Sequence, residues 1–462
     1  MENKPLPKAS LKSIIQKLDA NERFEFAKHS PSLSLIEKSV PLQIDTLIFK
    51  DLKIQVNTTE YKFGVYKKFP NKSTPRFINF ENNQGGSECN VDEYGFNDYS
   101  QDFLIENGDV VISSEQYWRE ACDEQFENNR MERSEKRREW LEGMIRNLQK
   151  QLIHLHLLAP QSSSELQKLQ FKIAKYQSDL LPFFYRDSGV RPYDVYTQMT
   201  ITSPRGVHRE RFEYNGNVHL ALKALAIQQF GNRGDPIEVG MLELNEPILR
   251  LPIGVKFKVS GLRLRYPIVW EALNQIIEPS SYPLEYVEIY SKNFESTEIT
   301  RQEIIEAKKL VILGVLENQK WVPDLEKLRN ELVKIKDGFE EEPYEELYGI
   351  ISFWRKNSER EMGSKLRVRF RDKQDVNGIF EKLAMDFGDK ELEDGRSHFL
   401  VPLNFTTDLQ VSKELISIQN HKDTWFIQLQ TLPKSFYLES IALCARVIEK
   451  IVKVWSILNW NF

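Results

Sequence analysis

Apolar residues at Leu11, Ile14, Ile15 and Leu18 recur at the i, i+3, i+4, i+7 spacing of one helical face, with Ser10 placed to cap it. A second short stretch carries Phe24, Phe26 and Ala27. Pro31 interrupts it, and Leu33 and Ile36 resume the spacing before Pro41. Helices this short are unstable alone and must pack on one another or on a partner. From Leu42 to Asp109 the period changes to two. Leu47–Phe49, Ile54–Val56 and Tyr61–Val65 read as strands, and Gly85-Gly86 and Asn107-Gly108 as turns.

From Ser114 to Leu181 the pattern is helical. Leu141, Met144, Ile145, Leu148, Leu152 and Leu155 form one stripe, and Leu166, Leu169, Ile173, Tyr176 and Leu180 form a second. Pro160 lies in the link Ala159–Ser164, so an antiparallel hairpin of long helices is expected. Strands return at Tyr196–Ser203 and Val207–Tyr214, flanking the turn Pro204-Arg205-Gly206. A helix from Asn217 to Phe230 then ends at Gly231.

Beyond it, triplets recur at Leu242-Glu243-Leu244, Leu262-Arg263-Leu264, Val287-Glu288-Ile289 and Val311-Ile312-Leu313, with helical stretches expected at Val269–Ile277 and Pro323–Ile335. A strand and a helix repeated at this interval suit a leucine-rich-type solenoid, although the asparagine ladder is missing. An open α/β sheet suits them equally. A helix carrying Trp354, strands at Leu366–Phe370, Phe399–Leu403 and Thr424–Leu429, a helix at Val376–Met385 and an apolar final helix at Ser435–Leu458 complete the pattern.

Composition narrows the chemistry. Of 462 residues, 63 are basic and 68 acidic, a net charge of −5 that disfavours a dedicated nucleic-acid binder. Three scattered cysteines build neither a zinc ribbon nor a cystine scaffold. The opening residues have no apolar signal core and no uncharged run is long enough to span a bilayer, so the expected location is cytoplasmic or nuclear. The aromatic–basic run Tyr61–Phe69, with Lys62, Lys67 and Lys68, would suit base stacking or, more simply, a half-buried strand with a lysine-protected edge. Arg233-Gly234-Asp235 reads as a turn. His154 and His156, two apart on a helix, cannot share a metal. No phosphate-binding glycine loop, HExxH or GxSxG occurs, so no catalytic, cofactor-binding or metal-ligating residue is assigned.

Several segments carry a resemblance. They are Pro5-Leu6-Pro7, Ser10–Ile15, Leu18–Phe24, His29–Leu33, Ile36–Leu42, Tyr61–Val65, Gly85-Gly86, Val91–Gly95, Ile201–Pro204, Glu210–Tyr214, Gly231–Arg233 and Ile248–Pro252. Together they resemble the nematode-expanded F-box C (F-box-associated) proteins. That resemblance implies an adaptor that docks a Skp-type subunit of an SCF-type cullin–RING ubiquitin ligase and recruits a protein substrate, without catalysis of its own or a cofactor. Leu6, Pro7, Leu11, Ile14, Ile15 and Leu18 would then bind the Skp-type subunit through a few apolar anchors. Arg23–Lys28 is more polar than the usual second F-box helix, and the usual tryptophan near the module's end is absent.

The expected fold is mixed α+β and α/β: an F-box-like module of short helices (1–45), a β-rich segment (46–112), a helical hairpin (113–185), a substrate-recruiting α/β region with leucine-rich-like repeats (190–430) and an apolar C-terminal helix (435–462). A scaffold without ligase docking is the alternative, and an enzyme with an unrecognised site is the third reading.

Overall fold

The computed structural model describes residues 7–70, 74–158, 163–191, 193–265, 268–290, 299–314, 325, 327–337, 343–356, 362–370, 372–387, 398–416 and 424–434. Leu6, the link at 159–162 and the expected C-terminal helix lie outside the described residues. The fold is mixed α/β and divides into two compact units, one of residues 1–259 and 265–281, the other of residues 260–264 and 282–462.

The first unit opens with α1 (Lys8–Ile15), α2 (Ala20–Lys28) and α3 (Pro31–Lys38). Pro7 precedes α1, so Ser10 lies inside that helix and does not cap it. Asp19 caps α2 by accepting from Asn21 N, and Ser30 caps α3 by accepting from Leu33 N. The strands β1 (Gln43–Lys50), β2 (Lys53–Val56) and β3 (Thr59–Lys68) follow as a meander. The helix α4 (Arg76–Asn83), absent from the periodicity reading, comes next, with the two-residue strands β4 (Asn90–Val91), β5 (Asn97–Asp98) and β6 (Val110–Val111). After the long helices come β7 (Asp194–Ser203), β8 (Gly206–Glu213), α8 (Val218–Phe230), β9 (Ile237–Leu244) and β10 (Ile248–Leu249).

The sheet of this unit runs β9–β1–β2–β3–β7–β8, antiparallel except where β1 lies parallel to β9, with Leu47 beside Leu242 and Phe49 beside Leu244. The first of the four triplets therefore pairs with an N-terminal strand. The strand β3 is central, so Lys62 and Lys67 do not guard an edge. Phe24, Phe49, Phe230 and Phe257 meet edge to face, with Phe24 and Phe230 centroids 6.1 Å apart, and all four are buried.

The helical arm differs from expectation at both ends. Its first half breaks at Arg133-Ser134 into α5 (Glu115–Glu132) and α6 (Glu135–Leu158), while α7 (Ser163–Ser188) runs through Pro182. The two stripes do face each other along α6 and α7. Leu141, Ile145, Leu148, Leu166, Ile173 and Leu180 are buried, and Phe96 closes the cluster at Leu141, Leu180 and Phe183.

Two buried carboxylates lock the first unit. Glu37 of α3 meets Arg23 of α2 at 2.8 Å and Arg233, beyond α8, at 2.9 Å, with all three side chains at most 5% exposed. Arg23 also donates to the carbonyls of Glu37, Val40 and Pro41, the end of α3 and its exit. Burial pushes both guanidiniums below the usual arginine range, and Glu37 opposes it. Asp109, with no exposed side-chain surface, meets Lys223 of α8 at 2.9 Å and Arg250 at 2.7 Å.

In the second unit, the last residues of β11 (Phe257–Leu264) begin a run of parallel strands continued by β12 (Tyr286–Tyr290), β13 (Lys309–Leu313), β14 (Leu332–Ile335) and β15 (Lys365–Phe370). Two in-register ladders, Leu262–Val287–Leu310–Val333–Leu366 and Leu264–Ile289–Ile312–Ile335–Val368, are at most 3% exposed throughout. The register sets Leu310 beside Val287, one residue earlier than the triplet pattern suggests. Leu332–Ile335 is a strand where a helix was expected. Asn330 ties adjacent turns by donating to the carbonyls of Ile304 and Ala307. The strands β16 (His398–Pro402), β17 (Thr407–Ile416) and β18 (Thr424–Pro433) extend the sheet antiparallel in the order β15–β18–β17–β16, and β17 was not expected. The helix Lys373–Phe387 buries Val376, Phe380, Leu383 and Ala384 on this part of the sheet.

Glu37→Gln strips the counter-charge from two buried guanidiniums. The variant is expected to lose about 3–5 kcal/mol in a denaturant titration. Ile173→Asp, which puts an unpaired charge into the α6–α7 seam, should cost several kcal/mol in the same measurement.

Candidate functional site

The residues expected to face a partner do not share one environment. Pro7 is exposed, Leu11 and Leu18 are half-buried, Ile14 is 47% exposed and Ile15 is fully buried. Successive helical residues point about 100° apart, so one step along α1 takes Ile14 outward and Ile15 into the chain's own core. The helix α1 packs against α3, where Leu35 is 73% exposed. Sequence reasoning passed over Leu35 because it sits among serines. The outward apolar surface of the module is thus Ile14 and Leu35, with Leu11 and Leu18 partly available.

A cavity of about 440 Å³ in the first unit is lined by β3, α4 and α7. Its floor depends on a close approach of backbone. A Cβ at Gly64 would lie 2.4 Å from the carbonyl oxygen of Gly85, and Gly86 has φ +92 with no room for a side chain. Lys62 pairs with Glu88 at 2.8 Å and holds that carboxyl below its usual range, and Lys67 lies 3.7 Å from Glu81. Asp179 of α7 is pushed up to about 6, chiefly by burial, with Glu132 and Glu81 reinforcing and Lys175 and Arg137 opposing. Such a carboxyl exchanges a proton near neutrality. Burial drives the Cys89 thiol up to about 11, which keeps it protonated and a poor nucleophile.

A second hollow, of about 250 Å³, brings together residues far apart in sequence. His219 Nε2 lies 3.0 Å from Asp102 Oδ1, and Glu246 and Arg250 line the same space. Burial holds the Glu246 carboxyl well above its usual range, Asp51 adding to the effect, and its Oε1 has no hydrogen-bond partner among the described residues. No group of three or more His, Cys, Asp or Glu that could hold a metal occurs among the described residues. Neither hollow was legible in the sequence, because each is assembled from separate turns and helices with no shared motif.

Residues 217–372 match the family model of a domain of unknown function, DUF3557. No curated protein and no solved structure matches the chain. The matched stretch opens at Asn217, which caps α8 by accepting from His219 N, and it includes the five parallel strands up to β15. It also supplies Lys223, Arg233 and Arg250, the cations that bind the buried carboxylates Glu37 and Asp109.

Asp179 and Glu246 make pH predictions of the same sign. An acid whose pKa is higher folded than unfolded costs stability as pH rises past the unfolded value near 4. Asp179→Asn should therefore match wild type below about pH 4 and exceed it by about 2–3 kcal/mol above pH 6 in urea titrations. Glu246→Gln should likewise gain on wild type as pH is raised from 4 to 8.

Proposed function

We propose that the chain is a non-catalytic adaptor of an SCF-type cullin–RING ubiquitin ligase. Its N-terminal helices dock a Skp-type subunit, and its α/β region recruits a protein substrate in the cytoplasm or nucleus. The observation that carries this reading is the exposed pair Ile14 and Leu35 on two helices packed together. The Arg23–Glu37–Arg233 lock fixes α3, which carries Leu35, and the buried Ile15 anchors α1, so the apolar patch is presented with a reduced ordering cost on binding. In the same reading the parallel turns from β11 to β15 are leucine-rich-type repeats, supported by their register and by Asn330 tying one turn to the next.

A scaffold without ligase docking is the second reading. It is favoured by Ile15 and by the half-buried Leu11 and Leu18, which spend much of the expected docking face on the chain's own core.

The two readings differ in the outcome of substitutions at adjacent positions. Under the adaptor reading, Ile14→Asp and Leu35→Asp each weaken retention of a Skp-type protein by the full-length chain about tenfold or more while leaving Tm nearly unchanged. Ile15→Asp should lower Tm under either reading. Failure of the wild-type chain to retain a Skp-type protein at micromolar concentration sinks the adaptor reading in favour of the scaffold.

A further inference from the structure

The face of the second unit's sheet opposite its two apolar ladders carries a cluster of cations. Lys334 of β14 lies in register beside Arg367 of β15. Lys336 and Arg369 follow two residues later on the same face. Like charges set directly across neighbouring strands repel. Arg367 is relieved by Glu414 at 3.3 Å and by Gln428, and Lys336 by Glu288 at 3.4 Å. Lys334 and Arg369 have no carboxylate partner among the described residues. The Lys334 ammonium sits 4.9 Å from the centre of the Phe426 ring, and the Arg369 Nε is buried with no acceptor among the described residues. Burial, and then Lys336, Arg367 and Arg369, hold the Lys334 ammonium below its usual range.

We propose that this cluster binds an acidic segment of a protein partner, whose carboxylates supply the counter-charge that no described residue gives Lys334 and Arg369. The proposal rests on the recruitment half of the adaptor reading and gives the substrate a chemical class. Charge complementarity calls for an anion, and the surroundings favour a polypeptide over other polyanions. Glu288 and Glu414 neutralise Lys336 and Arg367, so the charge left over is that of Lys334 and Arg369, which a few spaced carboxylates match better than a continuous phosphodiester backbone. Gln410 and Gln430 stand on the same face across β17 and β18, where their amides can meet a peptide backbone, while Gln428 is buried and accepts from Arg367 and donates to Gln430.

Fluorescence anisotropy on the full chain tests this with a labelled glutamate-rich peptide and a control in which every glutamate is glutamine. Wild type should bind the first and discriminate against the second, with an affinity that falls as salt rises. Lys334→Gln/Arg369→Gln should bind about tenfold or more weakly, since charge-assisted contacts are lost, while melting at a temperature no lower than wild type. Should the double variant unfold, Lys334→Gln alone, at a partly solvated position, must show the loss. Equal binding of the two peptides, unchanged binding by a folded variant, or tighter binding of a single-stranded oligonucleotide or phosphatidylserine vesicles would overturn the proposal. Peptide binding by a chain that retains no Skp-type protein would keep this inference and remove ligase docking alone.

Discussion

The Glu37 carboxylate is the constraint on which the first unit depends. A carboxylate and two guanidiniums withdrawn from water together carry a desolvation cost that only close geometry offsets, so their positions are mutually fixed. Arg23 belongs to α2, Glu37 to α3, and Arg233 to the turn after α8. One charge cluster thus orders the N-terminal helices and sets them against α8, next to the Phe24–Phe230 contact. This accounts for the polarity of α2, where an arginine stands on the inward face because the end of α3 offers it three carbonyls. It also gives Arg233-Gly234-Asp235 a role: the turn exists to deliver its arginine inward.

Asp109 repeats the device with Lys223 and Arg250, and glycine makes the approach possible. A Cβ at Gly108 would meet the Leu251 carbonyl oxygen at 2.6 Å. Several segments that carry the family resemblance, namely Leu18–Phe24, Ile36–Leu42, Gly231–Arg233 and Ile248–Pro252, contain Arg23, Glu37, Arg233 and Arg250, four of the six charged members of these two locks. They build the frame more than any surface. A short-motif resemblance can therefore reflect a fold while the binding surface it implies goes untested.

Much of the fold was legible where one period governed a segment. The strands β1, β2 and β3, the hairpin β7–β8, the helix α8 ending at Gly231 and the facing stripes of α6 and α7 follow from spacing alone. Legibility failed where a short apolar run satisfied two periods. Leu325, Leu328, Leu332 and Ile335 are spaced by three and four, yet Val333 and Ile335 also alternate, and pairing with β13 and β15 decided for a strand. The same misreading hid the cation cluster, since Lys334 and Lys336 share a face only on a strand. The alternation Arg367-Val368-Arg369 was visible, but only the register sets it beside Lys334. On α1 the periodicity found Leu11, Ile14 and Ile15, but the helix ends at Ile15 and leaves Leu18 beyond it, and a stripe cannot say which of its members the chain will use itself.

The two units treat clustered cations in opposite ways. In the first, cations withdrawn from water close on a shared carboxylate, as Arg23 and Arg233 do on Glu37 and as Lys223 and Arg250 do on Asp109. Those clusters are closed by their own cations. On the sheet face of the second unit, Lys334 and Arg367 stand in register, and among the described residues the acids nearby relieve Arg367 and Lys336 but not Lys334 or Arg369. Repulsion across a parallel ladder destabilises the strands that carry it, and exchange of either cation for a neutral residue would relieve it. As proposed, an acidic segment docking there would relieve this repulsion, and what the strands lose in stability would return as affinity for that partner.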